Sequence, residues 1–222
     1  MSKTLGSIIT DVRDKVDETT EVRWTDAEIT RYINKRVAWL QSRIETFNPD
    51  YFLRVETATA AAGSNSLGIP SDILGHRLRH IQVYEGTTVA LGDGSRIEPS
   101  QLSTVYAYQN LTGTPLYYTM LAGQIKFAPG LQSDSFFRFI YSVKESQLTG
   151  SNSTIGYIND EHTDVISDGA AIDCLIKTGA WDNVKGLSEN LKDRLQEIAN
   201  DVTPTDPVMM PQENIDWYTI SD

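Results

Sequence analysis

The hydrophobic period of this 222-residue chain changes twice along its length. Apolar residues recur at helical spacing from residue 4 to about 47, alternate in short runs from 51 to about 147, and return to helical spacing from about 158 to 202. Helices and strands present their apolar residues at different periods, so the pattern excludes a uniform architecture. It predicts an α+β fold, with a helical bundle formed by N- and C-terminal helices and a small antiparallel β domain inserted between them.

The first two helices have clear boundaries in the sequence. Residues 4–18 place apolar side chains on one face and charged side chains on the other. The stretch WTDAEITRYINKRVAWL, residues 24–40, opens with Thr25 and Glu28 at the spacing of a capping box, in which each side chain satisfies a backbone N–H of the first turn. Pro49 is expected to end this second helix, because proline disfavours helical geometry in the residue before it. The two helices should pair as a hairpin.

The middle of the chain predicts short strands separated by glycine and proline. Ala122-Gly123 lies at the centre of an alternating stretch and indicates a hairpin. The LGDGS stretch, residues 91–95, indicates a tight turn, because Asp-Gly tolerates positive φ. Pro99 opens a short helix that ends near Tyr108. The predicted strand segments are residues 51–60, 76–86, 88–98, 114–130 and 135–146.

Two further helical patterns follow, over residues 158–183 and 188–201. Asn159 or Asp160 is expected to cap the first of them, since short polar side chains accept hydrogen bonds from the first-turn N–H groups. Gly186 leaves two possibilities open: it separates two helices, or it only bends one.

The last twenty residues cannot continue the helix, because three prolines each remove a backbone donor. They contain four acidic residues and no basic ones. We predict an extended arm that docks on another chain through large apolar side chains; the alternatives are that it folds back on its own domain or is disordered. The predicted interface residues are Met209, Met210, Ile215, Trp217, Tyr218 and Ile220.

These patterns divide the chain into four parts. The predicted boundaries are an N-terminal helical hairpin at 1–50, a β-rich insertion domain at 51–150, C-terminal helices that complete the bundle at 151–202, and the extended arm at 203–222.

The net charge of −11 is concentrated near the C-terminus. Residues 1–150 hold 15 Lys/Arg and 16 Asp/Glu, whereas residues 151–222 hold 4 and 14. General binding to a phosphate backbone needs clustered Lys and Arg, so this distribution argues against it. An acidic surface could still line a passage for DNA without binding it. No apolar run approaches the ~20 residues that span a bilayer, and acidic residues come too early for a secretory signal, so we expect a cytosolic protein at synthesis that does not bind membranes.

Three groups of residues contain side chain types that can bind a metal or take part in acid–base chemistry. His76 and His80 are four residues apart, but in a stretch expected to be strand or loop, where that spacing does not converge. His162 lies among three carboxylates that helix capping explains more simply. The carboxylates near the N-terminus are expected on a solvent face beside Arg13 and Lys15; they are Asp11, Asp14, Asp17 and Glu18.

No motif predicts a catalytic, cofactor-binding or metal-binding residue. The GDGS stretch lacks the spacing and the Lys-Ser/Thr of a phosphate loop, and no Gly-x-Ser-x-Gly elbow occurs. Cys174 is flanked by apolar residues and is interpreted as a buried structural thiol. The sequence therefore favours a protein that is not an enzyme.

In its order of segments, the chain resembles the head-to-tail connector, or adaptor, proteins of tailed bacteriophages, particularly those of short-tailed phages. The resemblance covers most of residues 4–180. The segments that carry it are TLGSIITDVRDKVDETTEVRWTDAEITRYINKRVAWL, SLGIPSDIL, TPLYYTMLAGQIKFAPG, FRFIYSVKESQLT and INDEHTDVISDGAAIDCLIK.

The resemblance implies a structural virion protein at the neck of the particle, present in the host cytoplasm during assembly. Such adaptors form a homo-oligomeric ring, usually a dodecamer, beneath the portal protein. The ring extends the channel for DNA ejection, passes double-stranded DNA without sequence-specific binding, and offers a platform for tail nozzle or tail fibre proteins. It also implies that a terminal arm reaches the portal or the adjacent subunit.

Two other functions are the alternatives to this interpretation. One is a cell-wall hydrolase of the phage tail region, which would need convergent carboxylates in a cleft. The other is a glycan-binding module on the β domain, with tyrosines stacking on a sugar ring; ordinary sheet packing is the more common role of tyrosines at strand spacing. The tyrosines in question are Tyr106, Tyr108, Tyr117 and Tyr118.

Overall fold

The computed structural model describes residues 3–18, 23–86 and 94–203, except for the side chain of His76. Within these ranges the chain is mixed α+β, as the sequence predicts. Its five α-helices are α1 (Leu5–Lys15), α2 (Asp26–Phe47), α3 (Leu102–Tyr108), α4 (Thr163–Thr178) and α5 (Trp181–Val202). Its nine strands are β1 (Leu53–Ala60), β2 (Ser66–Gly68), β3 (Ile73–Glu85), β4 (Ser95–Pro99), β5 (Thr112–Gly113), β6 (Tyr117–Leu121), β7 (Gln124–Ala128), β8 (Gly130–Leu131) and β9 (Ser135–Val143).

Local signals set the ends of the first helices. The Thr4 hydroxyl accepts a hydrogen bond from the Ser7 N–H at the start of α1. Both bonds of the Thr25–Glu28 capping box are present at the start of α2, which confirms that prediction. Helix α2 ends at Phe47, and its C-cap residue, Asn48, directly precedes Pro49.

Seven strands form one sheet in the order β1-β9-β3-β4-β6-β7-β2, and β5 and β8 form a separate pair. The β6–β7 hairpin turns at Ala122 and Gly123, whose φ angles of 50° and 76° are the positive values that a type I′ turn requires. The turn predicted between β3 and β4 lies largely outside the described residues, but the flanking strands pair antiparallel.

The prediction of an antiparallel domain is wrong for two strand pairs. β4 and β6 pair in parallel, as do β5 and β8, whereas the other pairs are antiparallel. Helix α3 lies between β4 and β6 in the chain and carries it back across the sheet, and parallel neighbours need such a crossover.

The C-terminal helices differ from the sequence prediction at their boundaries. The chain forms a one-turn 3-10 helix, Asp160–His162, before α4, and neither Asn159 nor His162 makes a side-chain capping bond. The predicted cap is therefore wrong for Asn159, and the extra turn moves the start of α4 to Thr163. Gly179, with φ of 74°, ends α4 in the left-handed conformation, and α5 runs without a break through Gly186.

Helices and sheet share one buried cluster. The alternation of β9 points Phe137, Phe139 and Tyr141 inward, where they join apolar side chains of α1, α2, α4 and α5. Helix α4 packs against α1, α2 and α5. Gly169 permits close approach to α2, since a Cβ there would lie 2.8 Å from Arg36 Cδ. The Arg36 guanidinium then makes two hydrogen bonds to Asp173, at 2.9 and 2.6 Å.

Buried polar groups tie α2 to the segment after β9. The Gln41 side chain donates to the Val143 carbonyl at 2.6 Å and accepts from the Glu145 N–H at 3.0 Å. The Glu145 carboxylate accepts from the N–H groups of Gly156 and Tyr157. Burial raises the pKa of Glu145 although these two donors oppose the shift.

Residues from the two ends of the sequence meet at Asp164, where Lys3 and Arg194 pair with its carboxylate. The hydrogen bond from Lys3, helped by Arg194, lowers the pKa of Asp164 below its ordinary 3.8.

This lowered pKa predicts a pH-dependent contribution to stability. A carboxyl group whose pKa is lower in the folded state stabilises the fold above its unfolded value and loses that contribution as pH falls through the folded value. We therefore expect Asp164→Asn to cost up to about 1 kcal/mol at pH 7, because the group is partly exposed, and nothing once the pH is well below 3.8. Urea denaturation from pH 7 to pH 2 measures the difference; a constant difference would contradict the prediction.

Candidate assembly surfaces

An exposed apolar patch lies on α3 and the segment that links it to β6. We define the α3 patch as five side chains that are each 36–53% exposed: Leu102, Tyr106, Tyr108, Leu111 and Leu116. Val105 anchors α3 in the core, and the turn of the helix then places Leu102 and Tyr106 on an outward face. Exposed apolar side chains that cluster in this way are typical of protein interaction surfaces. The three leucines follow no regular period in the sequence, so no pattern there predicts their place on a surface patch.

The four tyrosines considered for sugar stacking do not act as one group. Tyr106 and Tyr108 are exposed on α3, Tyr117 is half-buried on β6, and Tyr118 is buried. The rings of Tyr108 and Tyr117 lie 5.6 Å apart. Burial raises the pKa of Tyr118, which is packed in the core. Tyr118 therefore packs in the protein core and is not accessible to stack on a sugar ring.

Strand β1 is an outer edge of the seven-stranded sheet. It pairs over eight residues with β9 and, among the described residues, with no other strand. Its outward face exposes Leu53 and Val55, the latter by 50%. The strand contains no proline, and its register with β9 is regular, so it lacks two common protections against further pairing. It is a second surface suited to contact with another chain.

Helix α5 presents an acidic face. Its exposed carboxylates are Asp182, Glu189, Asp193, Glu197 and Asp201, against two exposed lysines, Lys185 and Lys192. By contrast, Asp164, Asp168 and Asp173 on α4 pair with basic side chains. The charge excess of the C-terminal part of the chain therefore lies, in its described portion, mainly on the outer face of α5.

The histidines do not converge on a site. Residues 76 and 80 both lie on β3, as the strand prediction requires. Burial, with a contribution from Arg96, lowers the pKa of His80. His162 is buried, with Nε2 3.7 Å from a carboxylate oxygen of Asp201. Within the described ranges, no group of three or more His, Cys, Asp or Glu residues could hold a metal ion.

The predicted solvent face near the N-terminus is wrong for Glu18 and its neighbour Arg13. Arg13 is 7% exposed and Glu18 is 9% exposed. The Glu18 carboxylate accepts from the N–H groups of Arg23 and Trp24, at 2.7 and 3.0 Å. Positive φ at Asp17 turns the chain directly after α1. The turn places the Glu18 carboxylate within hydrogen-bond distance of the Trp24 backbone N–H. Asp14 and Asp17 are exposed as expected.

Cys174 is fully buried on α4, as predicted. Burial raises its pKa to about 12, which leaves the thiol protonated at neutral pH. No helix in the described ranges is long and apolar enough to cross a bilayer.

All six predicted interface residues of the C-terminal arm lie outside the described residues. The described chain ends at Thr203, directly after α5. The Val202 carbonyl there accepts a hydrogen bond from the Asn48 side chain, at the C-terminal end of α2.

The family model described as SU10 adaptor protein matches residues 3–213. The match therefore includes the helices at both ends, the whole sheet and the first part of the predicted arm, through Glu213. A search of curated proteins found no match.

Proposed function

The chain belongs to the SU10 adaptor protein family, and from that membership we propose that it forms a ring, a dodecamer, joining the portal protein to the tail or nozzle of a phage particle. The family is one of structural phage proteins of the virion neck, which associate with other virion proteins. The ring would extend the channel through which DNA is ejected. The observation that carries the proposal is the family match over residues 3–213.

The exposed surfaces support a self-assembling protein. In a ring, one surface of each copy meets a different surface of the next, and a fixed rotation closes the assembly. The α3 patch and β1 lie in the β-rich part of the chain and leave apolar groups exposed. Buried in assembly contacts, such groups would stabilise the ring by about 25 cal/mol for each Å² removed from water.

The parts of the chain take different roles in this proposal. Helices from residues 1–50 and 151–202 form a bundle that packs in the ring, and residues 51–150 add contacts between copies through the α3 patch and β1. The assembled ring offers the platform for tail nozzle or tail fibre proteins. Residues 203–222 form an arm that reaches the portal or the adjacent subunit. Aromatic and sulfur-containing side chains make effective anchors, so its contacts would come from Met209, Met210, Ile215, Trp217, Tyr218 and Ile220.

The acidic face of α5 is suited to the channel wall. Carboxylates repel DNA phosphates, so a wall of them lets double-stranded DNA pass without holding it. The ring would form in the host cytoplasm during assembly. A ring structure with the α5 carboxylates facing away from the channel would contradict this part of the proposal.

Mixing the purified full-length chain with portal protein tests the ring. Electron microscopy is expected to show a ring attached to the portal, and mass photometry a species near twelve times the 24.8 kDa of one chain. A chain that stays monomeric alone and with portal protein would contradict the proposal.

The arm is tested separately. A chain ending at Thr203, and a full-length Trp217→Ala/Tyr218→Ala variant, are each expected to remain folded but to attach to the portal at least tenfold more weakly, because interface aromatics commonly contribute 2 kcal/mol or more. The matched control is Thr205→Ala/Gln212→Ala, which changes the same segment without removing an anchor. Circular dichroism confirms folding, and normal attachment by the two test variants would contradict the arm's role.

A further inference from the structure

An open groove of about 790 Å³ runs along the N-terminal half of α2. Helix α1 forms one wall and residues 147–151 contribute to the other. Apolar side chains of Leu5, Ile9 and Leu148 line it where the core reaches the surface. We call this feature the α2 groove. Its volume lies within the roughly 300–1,000 Å³ that is typical of ligand-binding clefts.

The α2 groove carries two basic side chains in an otherwise acidic protein. Arg31 and Lys35 both line it, one helical turn apart. No carboxylate of the described residues pairs with Arg31. Lys35 comes only to 4.0 Å from Asp173, whose carboxylate is already held at 2.6 Å by Arg36. The one acid of the groove, Asp26, pairs with Arg13 at 2.7 Å. With two cations and one carboxylate, the lining of the groove carries a formal charge of +1, whereas the chain carries a net −11.

This pair of cations is unfavourable in the isolated chain. Like charges four residues apart on a helix destabilise it by roughly 0.2–0.5 kcal/mol. Negatively charged side chains of a partner would remove that cost. Apolar side chains of the same partner could pack against the apolar lining of the groove. The partner suited to the α2 groove is thus a peptide with acidic and apolar residues and no basic ones.

Residues 204–222 have that composition. The segment contains Asp206, Glu213, Asp216 and Asp222, no basic residue, and the apolar side chains proposed above as anchors. We propose that the α2 groove of each copy binds the C-terminal segment, residues 204–222, of a neighbouring copy. The proposal rests on the ring function proposed above and names the surface that receives the arm.

The ring proposed above makes a neighbouring copy the donor; distance alone does not decide this, because the extended segment is long enough to reach either its own groove or that of a neighbour. The segment leaves the folded chain beside Asn48, at the C-terminal end of α2. The groove lies around Arg31, about 25 Å away along the same helix at 1.5 Å per residue. One copy thus carries the segment and its receptor at opposite ends of α2. Two distinct surfaces placed in this way join copies head to tail, which is the contact that a ring requires. A segment of this length spans up to ~60 Å when extended, enough to cross between subunits.

Charge reversal on each side tests the contact in the full-length chain. The groove variant is Arg31→Glu/Lys35→Glu, and the segment variant is Glu213→Lys/Asp216→Lys. Each is expected to reduce the assembled fraction about tenfold or more at a fixed concentration, because juxtaposed like charges cost several kcal/mol. Combining all four changes in one chain restores opposite charges and is expected to restore assembly. The matched control, Lys126→Glu/Lys144→Glu, makes the same charge change outside both the α2 groove and the acidic face of α5, and should assemble normally.

Mixing the two variants separates a neighbour from the chain's own segment. In a 1:1 mixture, alternating copies place each segment opposite a groove of opposite charge, so mass photometry should show rings that neither variant forms alone. If the segment bound its own groove, mixing would restore nothing, and that outcome overturns the proposal. The proposal is also overturned if the groove variant assembles as well as the unmodified chain. It is overturned as well if the groove variant forms intact rings and loses only its attachment to the portal.

These outcomes are distinct from a failure of the ring function. If the unmodified chain forms no ring alone or with portal protein, the proposed function itself fails. If the unmodified chain forms rings and the groove variant does so equally, only the assignment of the groove fails. Thermal melting of each variant confirms that loss of assembly is not loss of folding; equal melting temperatures are expected, because Arg31 and Lys35 are exposed.

Discussion

Replacing Arg13 by methionine is expected to lower the free energy of unfolding by about 3–5 kcal/mol, because it removes one partner of a buried ion pair. Arg13 Nη2 donates to the Trp24 carbonyl at 2.9 Å and to Asp26 at 2.7 Å, and Nη1 lies 3.6 Å from Glu18. Methionine keeps much of the side-chain volume, so the loss reflects charge and hydrogen bonding rather than a cavity. Urea denaturation followed by circular dichroism measures it.

A double variant provides the control for this prediction. In Arg13→Met/Glu18→Gln the buried carboxylate becomes a neutral amide whose oxygen still accepts from the N–H groups of Arg23 and Trp24. It is expected to be more stable than Arg13→Met alone, by about 1–3 kcal/mol. Lys185→Met on the exposed face of α5 should stay within about 0.5 kcal/mol of the unmodified chain. A loss at Arg13 as small as that of Lys185→Met would contradict the prediction.

Replacing Gln41 by leucine is expected to lower the free energy of unfolding by about 2–4 kcal/mol. Gln41 is 2% exposed, and its side chain is the partner of the Val143 carbonyl and the Glu145 N–H. Leucine has a similar volume and leaves both backbone groups buried without a partner, at about 1–3 kcal/mol each. Chemical denaturation measures the total, and hydrogen exchange of the Glu145 amide should accelerate.

Asn34 supplies a matched comparison two turns earlier on the same face of α2. Its side chain donates to the Leu148 carbonyl at 2.9 Å and accepts from the Leu148 N–H at 2.8 Å. Asn34 is only half-buried, so water can replace these bonds and Asn34→Leu is expected to cost less than Gln41→Leu. The reverse order would show that burial does not set the cost.

The sequence predicts the elements whose signals are local. The Thr25–Glu28 capping box, the end of α2 before Pro49 and the turn at Ala122-Gly123 each depend on a few adjacent residues, and each is present. The burial of Cys174 follows from its apolar neighbours in the same way. These features need no knowledge of what lies across the fold.

The features that the sequence did not predict depend on distant parts of the chain. The sequence predicts Arg13 and Glu18 on a solvent face, because their charged side chains lie near other charged residues. Their burial depends on contacts with Trp24, which lies beyond the turn that follows α1. The parallel pairing of β4 with β6 depends on where α3 carries the chain. The α3 patch and the α2 groove depend on which surfaces the neighbouring elements leave uncovered, so no periodic pattern marks them. The predicted arm contacts from Met209 to Ile220 remain predictions, since they lie outside the described residues.

The two hydrogen bonds from Arg36 to Asp173 join residues 137 positions apart in the chain. A ribosome adds roughly 5–20 residues each second, so α2 leaves it on the order of ten seconds before α4. During that interval the apolar stripe of α2 has no C-terminal helix to cover it, and the nascent chain is open to chaperones and to aggregation. Copies of this protein can therefore become competent subunits only after translation is nearly complete.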